Sequence, residues 1–181
     1  MGNIRQISDL RKAFHLMVGA HDGVYRKFEG TEYAYHPVAV AQIVKKNKVS
    51  KNKMKLIIAA LLHDTVEDAP ELVNIELIKK MFGEVVASLV NELTSDSYEL
   101  EKLGKQEYLL QKMLKMTSYA LVIKLADRLH NCTSLVKATK KFRDNYVRQT
   151  RYIIDGLKKR YLSDTHKNLI SQIDTFISVY E

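Results

Sequence analysis

The sequence predicts an all-α fold, a helical bundle, and three observations carry that prediction. Apolar residues recur at helical three- and four-residue spacing along the whole chain, and no stretch alternates with the period of two that a sheet requires. Seven glycines and two prolines in 181 residues leave few breaks. The length suits a single domain over 1–181 with its own core.

The elements follow in order. Leu10, Ala13, Phe14, Met17 and Val18 fall at i, i+3, i+4, i+7 and i+8 behind Ser8, which is placed to cap a first amphipathic helix. A loop from about His21 to Tyr35 comes next. Pro37 suits the first residue of a helix, where its missing N–H has no partner in any case, and VAVAQIVKK continues that helix. Ser50 can cap a third, which carries MKLIIAALLHD and should stop near Ala69 and Pro70, because proline disfavours helix at the residue before it. Its LIIAALL run reads as buried on nearly every side. Further helices are expected around 71–82, 84–94, 104–116, 118–136, 141–161 and 164–179, with Gly83 and the TSDS run at 94–97 as breaks.

Composition narrows the function. The longest apolar run, Leu56 to Leu62, is too short to span a bilayer, and MGNIRQISDL lacks a signal-peptide core, so the expected location is the cytoplasm with no membrane partner. The single cysteine, Cys132, forms no internal disulfide, and no CxxC pair points to structural zinc. Net charge is +8, concentrated in Lys45, Lys46, Lys48, Lys51, Lys53 and Lys55 and in a second stretch from Lys137 to Arg151. Without interleaved aromatics the lysine window reads as a solvated face, and no nucleic-acid partner is expected.

LLHDTVEDAP, residues 61–70, sets a histidine and three carboxylates directly behind an apolar helix. On a helix His63 and Glu67 are four apart, Asp64 and Glu67 three, Asp64 and Asp68 four, which makes a connected acidic edge. Acids near a helix C-terminus oppose its dipole, so something cationic should be present. YHPVAV adds His36 at the mouth of a helix, and VIKLADRLHN places Asp127 after an apolar run, with His130 and Asn131 three and four positions further on. Imidazole and carboxylate gathered from separate helices make a mixed nitrogen and oxygen site for a divalent metal, with His36, His63, Asp64 and Asp127 as ligands. Taken singly, His36 before a proline is more often a cap or a surface residue, and Asp127 with Arg128 beside it is more often a structural ion pair; the three clusters together favour the metal. His15 and His21 are assigned to surface or interhelix positions, His166 lies in a polar stretch with no site role, His130 is assigned a supporting role beside Asp127, and Tyr33 and Tyr35 are assigned to packing.

H…HD…D in an all-α chain resembles the HD superfamily of metal-dependent phosphohydrolases. YAYHPVAVAQIV, AALLHDTVEDAP, FGEVVASLVNELT and ALVIKLADRLHN closely resemble the hydrolase domain of RelA/SpoT-type enzymes, over about residues 26–135. The resemblance implies an HD-domain helical bundle that hydrolyses the alarmone (p)ppGpp at its 3′ position, giving GDP or GTP and pyrophosphate, with Mn²⁺ as the usual metal. It implies Glu67 and Asp68 as the acidic pair that positions and activates water, and Arg26, Lys27, Asn131 and Ser134 as substrate contacts. Burial is expected to bring Glu67 towards neutrality and make it a base. From Arg26 to His36 the chain is one residue longer than the common bacterial form, and it ends before the synthetase and regulatory domains of the bifunctional enzymes, as a stand-alone hydrolase would. Alternatives are an HD phosphohydrolase of another nucleotide, such as an NADPH 2′-phosphate or a deoxynucleotide, and a nucleotide-sensing module. Homo-oligomerisation is left open.

Overall fold

The computed structural model describes residues 2–48, 50 and 52–180, so Lys51 of the lysine window lies outside the described residues. The chain is helical throughout, with no strand among the described residues and an isolated antiparallel bridge from Tyr25 to Glu32. It divides into two compact units, Met1–Thr94 and Ser95–Glu181.

The first unit holds α1 (Gly2–Ala20), α2 (Tyr35–Asn47), α3 (Lys53–Leu62), α4 (Thr65–Asp68), α5 (Ile75–Phe82) and α6 (Glu84–Leu93). α3 is its centre: Leu56, Ile58, Ala59, Ala60, Leu61 and Leu62 are buried, against α1, α2 and α6. Each large side chain buried this way contributes about 1.5–3 kcal/mol, enough to fix the register of the helix. α1 differs from expectation. It begins at Gly2, so Ser8 lies inside it and caps nothing. Its buried stripe is Ala13, Met17 and Ala20, while Phe14 and Val18 are 43% and 37% exposed. Phe14, one helical position round from Ala13, instead lines a surface groove with Ile57 and Leu61 of α3.

α2 starts two residues before Pro37, which still falls in the first turn, where backbone N–H groups have no helical acceptor. Asn52, not Ser50, occupies the N-cap of α3; Ser50 shapes the turn before it, its Oγ accepting the Asn52 N–H at 3.1 Å. The helix expected to run on to Ala69 is broken after Leu62. There Thr65 Oγ1 donates to the Leu62 carbonyl and His63 Nδ1 to the Ala60 carbonyl, both at 2.8 Å. These side chains engage acceptors that a continuing helix would use for its own N–H groups. α5 begins only at Ile75, where the Asn74 side chain accepts the Leu77 N–H at 2.9 Å. Gly83, at φ +85°, turns the chain into α6.

The second unit holds α7 (Ser97–Leu103), α8 (Lys105–Lys115), α9 (Ser118–Thr133), a 3₁₀ turn (Ser134–Lys137), α10 (Lys140–Leu157), α11 (Asp164–Ile177) and a final 3₁₀ turn (Ser178–Tyr180). α7 is unexpected. Asp96 caps it through the Glu99 N–H at 3.1 Å, and Gly104 at φ +74° separates it from α8. α9 is the central helix, with Leu121, Val122, Ile123, Leu125 and Ala126 fully buried, and it packs on α11. Arg160 closes the end of α8 by donating to the carbonyls of Met113, Leu114 and Met116 at 2.6, 3.1 and 3.0 Å. His166, in its polar stretch, is buried. Its Nδ1 accepts the Ser163 N–H at 3.1 Å and its Nε2 donates to the Ser118 carbonyl at 2.9 Å, tying α11 to α9.

Candidate metal centre

Three of the predicted ligands meet in the first unit. His36 comes from the first turn of α2, His63 from the end of α3, and Asp64 from the N-cap of α4. One ligand atom from each lies within 4.8 Å of the others, and both histidines are 1% exposed. Asp64 Oδ2 is 3.0 Å from His63 Nε2 and 3.7 Å from His36 Nε2. Ligand atoms that share one divalent ion at about 2.0–2.2 Å stand roughly 3–3.5 Å apart; Asp64 and His63 are at that spacing and Asp64 and His36 just beyond it. The donor chemistry agrees. A carbonyl only accepts, so His63 Nδ1 carries the proton it gives to Ala60, and in the neutral ring Nε2 turns a lone pair towards the Asp64 carboxylate. A cation reconciles two facing acceptors. The break after Leu62 matters here, because it sets the HD pair at the junction of two helices.

The cluster is supported by two side chains that sequence pattern alone gave no role in the site. Tyr33, assigned to packing, donates its hydroxyl to Asp64 Oδ2 at 2.7 Å. His21, assigned to a surface or interhelix position, is 2% exposed and stacks on the Tyr33 ring at 4.7 Å between centroids. Its Nδ1 meets the Met17 carbonyl at 2.9 Å and its Nε2 meets Asp68 Oδ2 at 3.2 Å. The available signal was position: His21 continues the buried Ala13, Met17, Ala20 stripe of α1.

Glu67 and Asp68 sit on α4 and are exposed, so the burial supposed for Glu67 is absent. Arg26 opens a tight loop in which its N–H donates to the Thr31 carbonyl at 2.8 Å and its carbonyl accepts the Gly30 N–H at 3.0 Å. The Arg26 guanidinium is 3.5 Å from Glu29, and Lys27 is exposed, with its amine 5.6 Å from the Phe28 ring centroid. The bridge from Tyr25 to Glu32 gives the longer loop a defined register.

In the second unit, Asp127 is 7% exposed on α9. Lys124 Nζ lies 2.9 Å from its Oδ2, and Asn131 Nδ2 donates to its Oδ1 at 2.6 Å. Ser134 opens the following 3₁₀ turn and is buried. The Arg128 guanidinium points elsewhere, donating to Thr150 Oγ1 at 2.7 Å and lying 5.0 Å from the Tyr146 ring centroid.

Residues 13–161 match the HD domain family, a span that runs through both compact units. The bifunctional (p)ppGpp synthase/hydrolase SpoT of Escherichia coli K12 is 35% identical over 161 residues, which are 86% of this chain and 22% of SpoT. The human guanosine-3′,5′-bis(diphosphate) 3′-pyrophosphohydrolase MESH1 is 31% identical over 151 residues, 80% of this chain and 82% of that protein. A solved structure described as a metazoan orthologue of SpoT that hydrolyses ppGpp and plays a role in starvation responses matches at TM-score 0.79 and 28% identity, covering 94% of each chain. This chain thus spans 22% of the length of the bacterial SpoT relative. A family match over most of the sequence, and a human relative matched over most of both chains, show that the chain belongs to the HD domain family, on its RelA/SpoT-type hydrolase branch.

Proposed function

We propose that the protein hydrolyses (p)ppGpp at the 3′ position, giving GDP or GTP and pyrophosphate. The single observation that carries this reading is the cluster of buried His36 and His63 with half-buried Asp64, in a chain related to named guanosine-3′,5′-bis(diphosphate) 3′-pyrophosphohydrolases. Asp127 is taken as the fourth ligand on the family resemblance, and Mn²⁺ as the metal. A bound divalent ion supplies Lewis-acid stabilisation of phosphate charge and makes water more acidic.

The chain's own side chains supply the rest. Tyr33 orients the Asp64 carboxylate. Glu67, on α4 just beyond the HD pair, accepts a proton from the attacking water, with Asp68 beside it. Arg26 and Lys27 bind phosphate oxygens, and Asn131 and Ser134 contact the nucleotide. Water oxygen bonds to the phosphorus carried by the ribose 3′ oxygen, the bond from that phosphorus to the ribose oxygen breaks to release pyrophosphate, and the proton taken by Glu67 passes to the ribose oxygen. The described lysines between 45 and 55 are exposed or half-buried and serve at most to steer a polyanion. No described helix is long and apolar enough to cross a membrane, and the proposed place of action is the cytoplasm.

Product analysis tests the reading. Metal-stripped protein reloaded with Mn²⁺ should convert ppGpp to GDP and pyrophosphate in one step. Orthophosphate as first product, or preference for a deoxynucleoside triphosphate or NADPH, would refute the substrate while leaving the metal cluster standing.

A further inference from the structure

We propose that His21 is a positioning residue of this site, holding Asp68 of the acidic pair through Nε2 and Tyr33 through its ring face. The proposal rests on the functional reading above for the role of Asp68, and on geometry for the rest.

His21 follows the last residue of α1, where a histidine with no task would turn to solvent. Instead it is 2% exposed and all three of its binding surfaces are engaged. Nδ1 faces the Met17 carbonyl at 2.9 Å, an acceptor only, and so carries a proton. Nε2 faces Asp68 Oδ2 at 3.2 Å, within hydrogen-bond reach of that carboxylate. The face stacks on Tyr33 at an interplanar angle of 26°. Tyr33 in turn donates to Asp64 Oδ2 at 2.7 Å. One buried ring therefore links a metal-ligand carboxylate on one side with the acidic pair on the other. Asp68 needs such a tether: its side chain is 41% exposed on a four-residue helix, which has little cooperative stability of its own. The fixed end of the tether is the α1 backbone, which packs against α3 through Met17 and Ala13.

Two amide replacements separate the contacts. The amide of His21→Asn falls near Nδ1 and can keep the Met17 bond, while that of His21→Gln reaches the Nε2 position and can keep Asp68. Neither keeps the stack. On full-length protein loaded with Mn²⁺, His21→Asn should lower kcat for ppGpp by about tenfold, as loss of a hydrogen bond to a charged group does, with KM nearly unchanged. His21→Gln should recover most of that loss, and its advantage should vanish in an Asp68→Ala background. Equal kcat for the two variants, or an advantage that persists without Asp68, would overturn the proposal. If wild-type protein fails to turn over ppGpp, the substrate reading falls, and the tether is read without activity. The ¹H–¹⁵N NMR signal of His21 Nε2–H should be present and should shift in Asp68→Ala, and its absence or indifference would equally overturn the proposal.

Discussion

Replacing Tyr33 by phenylalanine removes one oxygen from the metal cluster and leaves its ring in place. That oxygen is 2.7 Å from Asp64 Oδ2, which also stands 3.0 Å from His63 Nε2. A hydrogen bond to a charged group contributes about 1.5–3 kcal/mol, and Asp64 keeps 19% of its side chain exposed, so water can replace part of the lost bond. The lower end, about 1.5 kcal/mol, corresponds to roughly tenfold weaker metal binding, in line with other groups that orient a ligand from behind. The stack of the ring on His21 needs no hydroxyl and should keep the loop in place, so urea melts of the metal-free protein should show a loss no larger than that one bond, about 1.5 kcal/mol. Calorimetric titration with Mn²⁺ reads the affinity and urea melts read the fold. Unchanged or tighter Mn²⁺ binding by Tyr33→Phe would refute the claim that this hydroxyl orients the ligand.

Glu67→Gln keeps size and hydrogen-bonding reach but not basicity, so kcat should fall by roughly a hundredfold or more with Mn²⁺ binding intact; a near-normal rate would remove Glu67 from the proton transfer. Chelation should abolish turnover and His63→Ala should lose bound metal, whereas full activity of stripped protein would end the metal assignment. Burial pushes the Cys132 thiol from an ordinary 9.0 up to about 12. The folded value lies above the unfolded one, so this contribution is complete below pH 9 and fades as pH rises towards 12, by at most about 4 kcal/mol. Urea melts of wild type and Cys132→Ala across that range should therefore converge, and parallel curves would contradict the burial argument. A Cβ on Gly156 would sit 2.4 Å from Leu110 Cδ1 and 3.0 Å from its Cγ. Overpacking of about 1–3 kcal/mol outweighs the roughly 0.5–1 kcal/mol that alanine brings to a helix, so Gly156→Ala should melt earlier, and an equal or higher melting temperature would show that Leu110 yields freely.

Local pattern was enough for what depends on local pattern. LIIAALL could be placed at a core because an apolar run with no polar face has nowhere to go but inside, and α3 is buried against three helices. His63 and Asp64 could be singled out because ionisable groups behind such a run are costly without a partner, and His36 could be joined to them because an imidazole at the mouth of another helix completes a mixed nitrogen and oxygen donor set. Tertiary structure alone decided the rest. Phe14 and Ala13 are equivalent to a periodicity count, yet Ala13 is fully buried while Phe14 is 43% exposed at the rim of a groove it shares with Ile57 and Leu61. The break after Leu62 comes from His63 and Thr65 choosing nearby carbonyls, a competition between side chain and backbone that residue spacing does not resolve. Tyr33 reaches Asp64 across 31 residues and His21 reaches Asp68 across 47, and no helical period links positions so far apart. Their partners were set by the packing of α1, the loop after it and α4, which brings distant residues within hydrogen-bond reach only once the apolar faces have been buried.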